Sequence, residues 1–191
     1  MYVSIENHLH RYVSVTEAEI SLFKSLVTEL KVGAKQFLIK PGTPLKHCFF
    51  VNTGCLKAYY QDSKGDKHVI QFAIENWWVS DFEAFYLNEP TKLYIEAIED
   101  STLLAINQEN LEILLTKAPV FERYFRILVT NAFISQRKRV LSSLEKNTKE
   151  RYLEFCDAYP NIETRVQNYH IANYLGVSAE SLSRIRGKLK E

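Results

Sequence analysis

The spacing of apolar residues changes twice along the chain and divides it into three parts. In residues 14–30, SVTEAEISLFKSLVTEL, the residues Ile20, Phe23, Leu26, Val27 and Leu30 recur at helical spacing. Thr16 with Glu19 three residues on makes a capping-box pattern. One helix or a pair of short helices is expected there. From 35 to 106 the period falls to two. KQFLIK runs to Pro41-Gly42, HCFFVN to Thr53-Gly54 and CLKAYYQD to the turn SKGD; KHVIQFAI, LYIEAIE and TLLAIN complete the series. Ile70, Phe72 and Ile74 are expected on one face of their strand. Short strands with Gly-bearing turns at near-even spacing predict an antiparallel sandwich or barrel. The stretch NWWVSDFEAFYLNEPTK interrupts the alternation, and a ligand loop would sit there.

After residue 106 the helical period returns. NQENLEILLTKA, 107–118, reads as a short helix capped by Asn107 and stopped by Pro119. Residues 120–144 contain no Gly or Pro, and Phe121, Phe125, Leu128, Val129, Ala132 and Val140 form an apolar stripe. That stripe is wider than packing on one sheet requires, so the helix can lie on its own domain and also pair with a copy of itself, an ordinary core helix being the alternative. TKERYLEFCDAYP predicts a further helix ended by Pro160. NIETRVQ reads as a polar link with a short strand.

HIANYLGVSAESLSRIR, 170–186, reads as two short helices about a turn. Ala172 is the small residue where they touch, and Gly176 tolerates the positive φ of the turn. Ile171, Leu175, Val177, Leu182 and Ile185 supply the apolar crossing. Ser178 caps the second helix and Glu180 lies in its first turn. Ala179, Glu180, Ser183, Arg184 and Lys188 then point outward. Arg184 suits the O6 and N7 acceptors of guanine, and Glu180 suits the cytosine amino group. Ser178, Ser181 and the helix N-terminus suit phosphate oxygens, while Arg186, Lys188 and Lys190 add attraction that does not depend on sequence. The pattern is that of a helix-turn-helix reader of double-stranded DNA.

Composition sharpens this picture at three points. The net charge of +1 divides into +5 over residues 120–191 (13 − 8) and −4 over residues 1–119 (11 − 15), which fits a polyanion binder behind an acidic front. Cys48, Cys55 and Cys156 are an odd number without metal-site spacing, and they are expected to be plain thiols. His8 and His10 would share a strand face with no third ligand near, so neither a metal nor another cofactor is expected. No apolar run spans a bilayer and the start MYVSIENHLHRYV is not a secretory signal, so a soluble, cytoplasmic protein without membrane contact is expected. No nucleophile–base–acid set or P-loop is present, which argues against an enzyme.

The order of parts resembles the Crp/Fnr family of bacterial transcription regulators over nearly the whole chain. FLIKPGTPLKHCFFVNTGCLKAYYQDSKGDKHVIQFA is similar to the family's strand pattern, and VSAESLSRIRGKL to its recognition helix. Ser178, Glu180, Ser181, Leu182 and Arg184 match that helix, and Ala179 replaces its first Arg. The resemblance implies an α+β fold: a cyclic-nucleotide-binding-like antiparallel β-roll (jelly roll) over 1–118, a long dimerisation helix over 119–145 and a helix-turn-helix domain over 146–191. It also implies a homodimer on DNA, contact with RNA polymerase and a small-molecule effector.

The effector site departs from the family. Cyclic AMP binders carry Gly-Glu and Arg-Ser or Arg-Thr; Ser80-Asp81 and Thr91-Lys92 stand at those places here. Lys92 lacks the planar fork of an Arg, so tight cyclic-nucleotide binding is not expected. Trp77, Trp78 and Phe82 are the aromatic residues that would line a remodelled pocket. The sequence stops at Glu191, so the family's β-hairpin wing is expected to be missing. The alternative is a ligand-sensing or protein-interaction module whose C-terminal helices only pack.

Overall fold

The structure, a computed structural model, describes residues 3–189. It opens with helix α1 (Val3–His10), so His8 and His10 lie on a helix and not on a strand. Helix α2 (Glu17–Leu26) starts where the capping box predicts. The Thr16 hydroxyl accepts from the Glu19 amide at 3.3 Å, and the Glu19 carboxylate accepts from the Thr16 amide at 2.8 Å. The helix ends before Val27. The expected continuation to residue 30 is instead strand β1 (Thr28–Val32), which pairs with a much later strand.

Two four-stranded antiparallel sheets follow. β2 (Phe37–Ile39), β3 (His47–Thr53), β4 (Leu56–Gln61), β5 (Lys67–Ala73), β6 (Trp78–Val79), β7 (Leu93–Ala97) and β8 (Ser101–Asn107) divide into the orders β1-β8-β3-β6 and β2-β7-β4-β5. This is the expected jelly-roll-like arrangement. Phe50, Leu56, Phe85, Ile95, Leu103 and Phe121 are fully buried members of the core that the sheets share with the neighbouring helices.

The β4–β5 pair carries a bulge. Ala58 pairs with Gln71 and Tyr59 with Val69, which leaves Ile70 as the extra residue. Ile70 is therefore exposed while Val69 and Phe72 are buried, and the expected single face of Ile70, Phe72 and Ile74 does not form.

Helix α3 (Phe82–Leu87) sits in the interrupting loop, and α4 (Gln108–Lys117) is capped by Asn107. Helix α5 (Val120–Glu145) begins at Pro119, a start that needs no amide from the proline. Its first two turns drive Phe121 and Tyr124 into the β-roll core; Phe121 stacks on Phe23 at 5.6 Å. α6 (Thr148–Ala158), α7 (Ile162–Arg165), α8 (Asn168–Leu175) and α9 (Ala179–Lys188) complete the described chain. The expected short strand in NIETRVQ is the helical turn α7, entered through Asn161 at φ +61°.

The C-terminal helices are packed on the β-roll. A second core joins Tyr59, Val69 and Phe72, from the outer face of β4 and β5, to Phe155, Ile162, Ile171 and Leu182.

Candidate nucleic-acid interface

The reader unit forms as its residues dictate. Gly176 ends α8 at φ +68° and its amide donates to the Ala172 and Asn173 carbonyls. The Ser178 hydroxyl caps α9, accepting from the Ser181 amide at 3.2 Å. Ile171, Ala172, Leu175 and Leu182 are buried at the helix crossing. Arg151 of α6 donates to the Leu175 carbonyl at 2.8 Å and so closes the end of α8.

Ser178, Glu180, Ser183, Arg184 and Lys188 are exposed on α9, as expected. Asn168, Ala179, Glu180, Ser183 and Arg184 lie together on one open surface. Glu180 is held below the usual carboxylate range by its own amide and the Ser178 hydroxyl, with Arg184 a turn away adding to the effect. The face therefore presents an ionised acceptor beside a guanidinium that makes no ion pair among the described residues.

Three expected contacts are placed differently. Ala179 is half-buried and packs on the second core. Ser181 is half-buried, with its hydroxyl accepting from Ser178. Arg186 is half-buried and donates to Asn168 Oδ1 at 3.1 Å, while the Asn168 amide group donates to the Ala179 carbonyl at 3.0 Å. Arg186 thus ties α9 to the start of α8. Lys190 lies outside the described residues, as does the end of the chain where the wing would follow.

The expected effector residues meet, but they satisfy one another. Asp81 caps α3 and accepts from the buried Thr91 hydroxyl at 2.7 Å and from the Lys92 amide at 3.3 Å. Ser80 donates to the His47 carbonyl at 3.0 Å. Lys92 and Phe82 face solvent, and Lys92 pairs with Glu83 at 3.7 Å. Trp77 and Trp78 do not line a common pocket. Trp77 stacks on Tyr159, and Trp78 donates to the Tyr124 hydroxyl inside the core.

The thiols are held protonated. Burial pushes Cys48 and Cys55 up to about 12 and Cys156 up to about 11. No group of three His, Cys, Asp or Glu residues that could hold a metal occurs among the described residues.

The profile of the cyclic nucleotide-binding domain matches residues 29–118. The fumarate and nitrate reduction regulatory protein of Vibrio cholerae is 24% identical, over 93% of this chain and 75% of its own length. Electron transport regulator A of Shewanella oneidensis is 24% identical, over 81% and 65%. Among solved structures, FixK2 from Bradyrhizobium japonicum superposes with a TM-score of 0.73 at 19% identity, covering 86% of this chain and 84% of that one. A transcriptional regulator of the Crp/Fnr family from Eubacterium rectale reaches 0.69 at 16% identity, covering 92% and 84%. These likenesses support a Crp/Fnr-type regulator.

The exposed part of α5 carries an apolar row. Val129, Phe133, Val140 and Leu144 are 65%, 67%, 58% and 78% exposed, though all are apolar. Their spacing of four, seven and four places them along one side of the helix. Of the expected dimer residues, Val129, Ala132 and Val140 are exposed, Phe125 and Leu128 are half-buried against the core, and Phe121 is fully buried within its own subunit. Phe133 and Leu144, which the sequence reading did not name, extend the exposed apolar row at heptad-like spacing from Val129 and Val140. No helix among the described residues is long and apolar enough to cross a membrane.

Proposed function

We propose that this protein is a dimeric, sequence-specific DNA-binding transcription regulator. The observation that carries the reading is the solvent face of α9. A capped helix, entered through a left-handed glycine, exposes Glu180, Ser183 and Arg184 side by side. Arg184 reads guanine and Glu180 reads cytosine in the major groove, while Ser178 and Lys188 hold phosphates. Two copies pair along Val129, Phe133, Val140 and Leu144 and set their recognition helices roughly 34 Å apart. RNA polymerase and a small-molecule effector are the further partners of such a regulator.

Cyclic AMP is not the effector in the usual way. The Asp81 carboxylate already holds the Thr91 hydroxyl, and the residue that follows Thr91 is Lys92, which lacks the planar fork of an arginine.

The test is selection from random double-stranded DNA at two salt concentrations. A two-fold-symmetric motif is expected, and Arg184→Ala should lose about 1–3 kcal/mol of discrimination at one base pair per half-site. Retention that falls steeply with salt and enriches no motif would leave only phosphate attraction and refute the reading.

A further inference from the structure

Strand β5 is the edge of its sheet, and an open edge presents unpaired amides and carbonyls. Here the edge is occupied by side chains from the C-terminal helices. The Val69 amide donates to Asn173 Oδ1 at 2.6 Å, and the Asn173 amide group donates to the Lys67 carbonyl. A single asparagine of α8 therefore bonds the edge much as a neighbouring strand would. Arg139 of α5 donates to the Ile70 carbonyl at 2.7 Å and to the Tyr174 carbonyl of α8 at 3.0 Å, with its guanidinium over the Tyr174 ring. The β5 carbonyls it reaches, of Ile70 and Val69, lie at the bulge.

Beside the edge, Phe72 contacts the rings of Phe155, Tyr159 and Tyr174 at 5.5–6.0 Å. Buried Lys57 pairs with Glu96 at 3.2 Å and donates to His170 Nε2 at 2.9 Å. At the far side Arg165 of α7 makes a two-pronged bond to Glu75, both arms at 2.8 Å, and also reaches Glu99 at 2.5 Å. Glu75 in turn accepts from the Gly54 amide at 2.9 Å. Exposed ion pairs contribute little, but a bidentate fork shared by two carboxylates fixes direction as well as distance.

We infer that the outer face of β4 and β5 is a docking seat that fixes the orientation of the recognition helix, and that Arg165 is the positioning residue that sets its angle. This rests on the reading of α9 as a DNA reader and assigns how its geometry is controlled. A rigidly seated pair of readers engages only half-sites at the matching spacing. A pair on loose tethers engages many spacings, because the second binding event no longer demands one geometry. Arg165 touches no part of the exposed α9 face, so its effect reaches DNA only through this seat.

The test uses the full chain with Arg165→Gln and, separately, with Glu75→Gln and Glu99→Gln together. The glutamines keep an acceptor for the Gly54 amide. Hydrogen exchange without DNA is read first. The Val69 segment should exchange faster in both variants, while β8 around Leu104 keeps its protection and shows that the β-roll is folded. Binding is then measured to the selected motif with its half-sites at several spacings.

The wild-type chain should prefer one spacing by about a hundredfold, and both variants should narrow that preference to about tenfold or less. Affinity for a single half-site should be unchanged in Arg165→Gln. The carboxylate variant removes negative charge, so simple electrostatics would only tighten its binding at every spacing. Unchanged exchange at Val69, or faster exchange with the spacing preference intact, would overturn the proposal. If the wild-type chain selects no motif, the DNA reading and the spacing role fall together, and the exchange data still report whether the seat holds the helices.

Discussion

A β-carbon added at Gly54 would lie 2.2 Å from Ser101 Oγ and 2.7 Å from Ser101 Cα, and the backbone there has φ +106°. Gly176 also needs a positive φ, yet a β-carbon at that position would meet nothing within 4 Å. Gly176→Ala should therefore cost only the left-handed conformation, about 1–2 kcal/mol. Gly54→Ala should cost clearly more, because the Ser101 backbone must move and the Gly54 amide is held by Glu75. Urea unfolding of the two variants checks this, and equal losses would mean that the contact at Ser101 relaxes freely. Both turns were legible in the sequence, because a Gly between two periodic runs has a stereochemical reason to be there. The bond from Thr91 to Asp81 was not. The two positions could be aligned with a ligand site, but periodicity does not say that they satisfy each other. The fork of Arg165 is further still from view, since its partner Glu75 is 90 residues away.

Among the elements, local signals held where a cap or a period stated them. Thr16, Asn107 and Ser178 each start a helix in the structure, and the alternating runs are strands. Strand β1 escaped because Val27 and Leu30 continue the helical spacing of α2, and only pairing with β8 makes residues 28–32 extended. The bulge at Ile70 escaped because one extra residue reverses the faces of a strand without changing its composition. On α5 the stripe was legible but its division was not. The end nearest Phe121 belongs to the β-roll, and the part from Val129 onward is left uncovered in the single chain. Phe133→Glu should leave the helical content intact and weaken dimerisation by roughly a hundredfold or more, since each of the two copies loses a buried aromatic contact. Sedimentation equilibrium measures this. A variant that stays dimeric at the wild-type concentration would rule out this seam.

At the scale of the whole molecule, one histidine is buried beside the first core and another is half-buried at the docking seat, and both shape how the fold responds to acid. His8 is buried beside Tyr124, with Nδ1 2.8 Å from its hydroxyl, and burial followed by the charge of Arg11 lowers it from 6.5 to about 4. His170 lies on the docking seat facing Lys57, with Lys67 and Glu96 near; burial first and then the two lysines lower it to about 4. Between pH 6.5 and about 4 the unfolded chain binds protons that the folded chain refuses. Stability is therefore complete above pH 6.5 and is lost as pH falls toward 4. For His8 the slope is at most about 1.4 kcal/mol per pH unit. The two sites can be separated because they hold different parts together. His8→Asn should flatten the pH dependence of global unfolding in urea between pH 7 and 5. His170→Asn should instead flatten the pH dependence of exchange at the Val69 amide, which reports release of the C-terminal helices from β5. Should His170→Asn leave that exchange as acid-sensitive as before, the charge of His170 against Lys57 is not what loosens the seat. Acid release would then fall to Glu75, which the bonds from Arg165 and the Gly54 amide keep ionised despite its burial. That contribution is present above about 4.5 and lost only as pH falls below it, so the pH at which the seat opens tells the two groups apart.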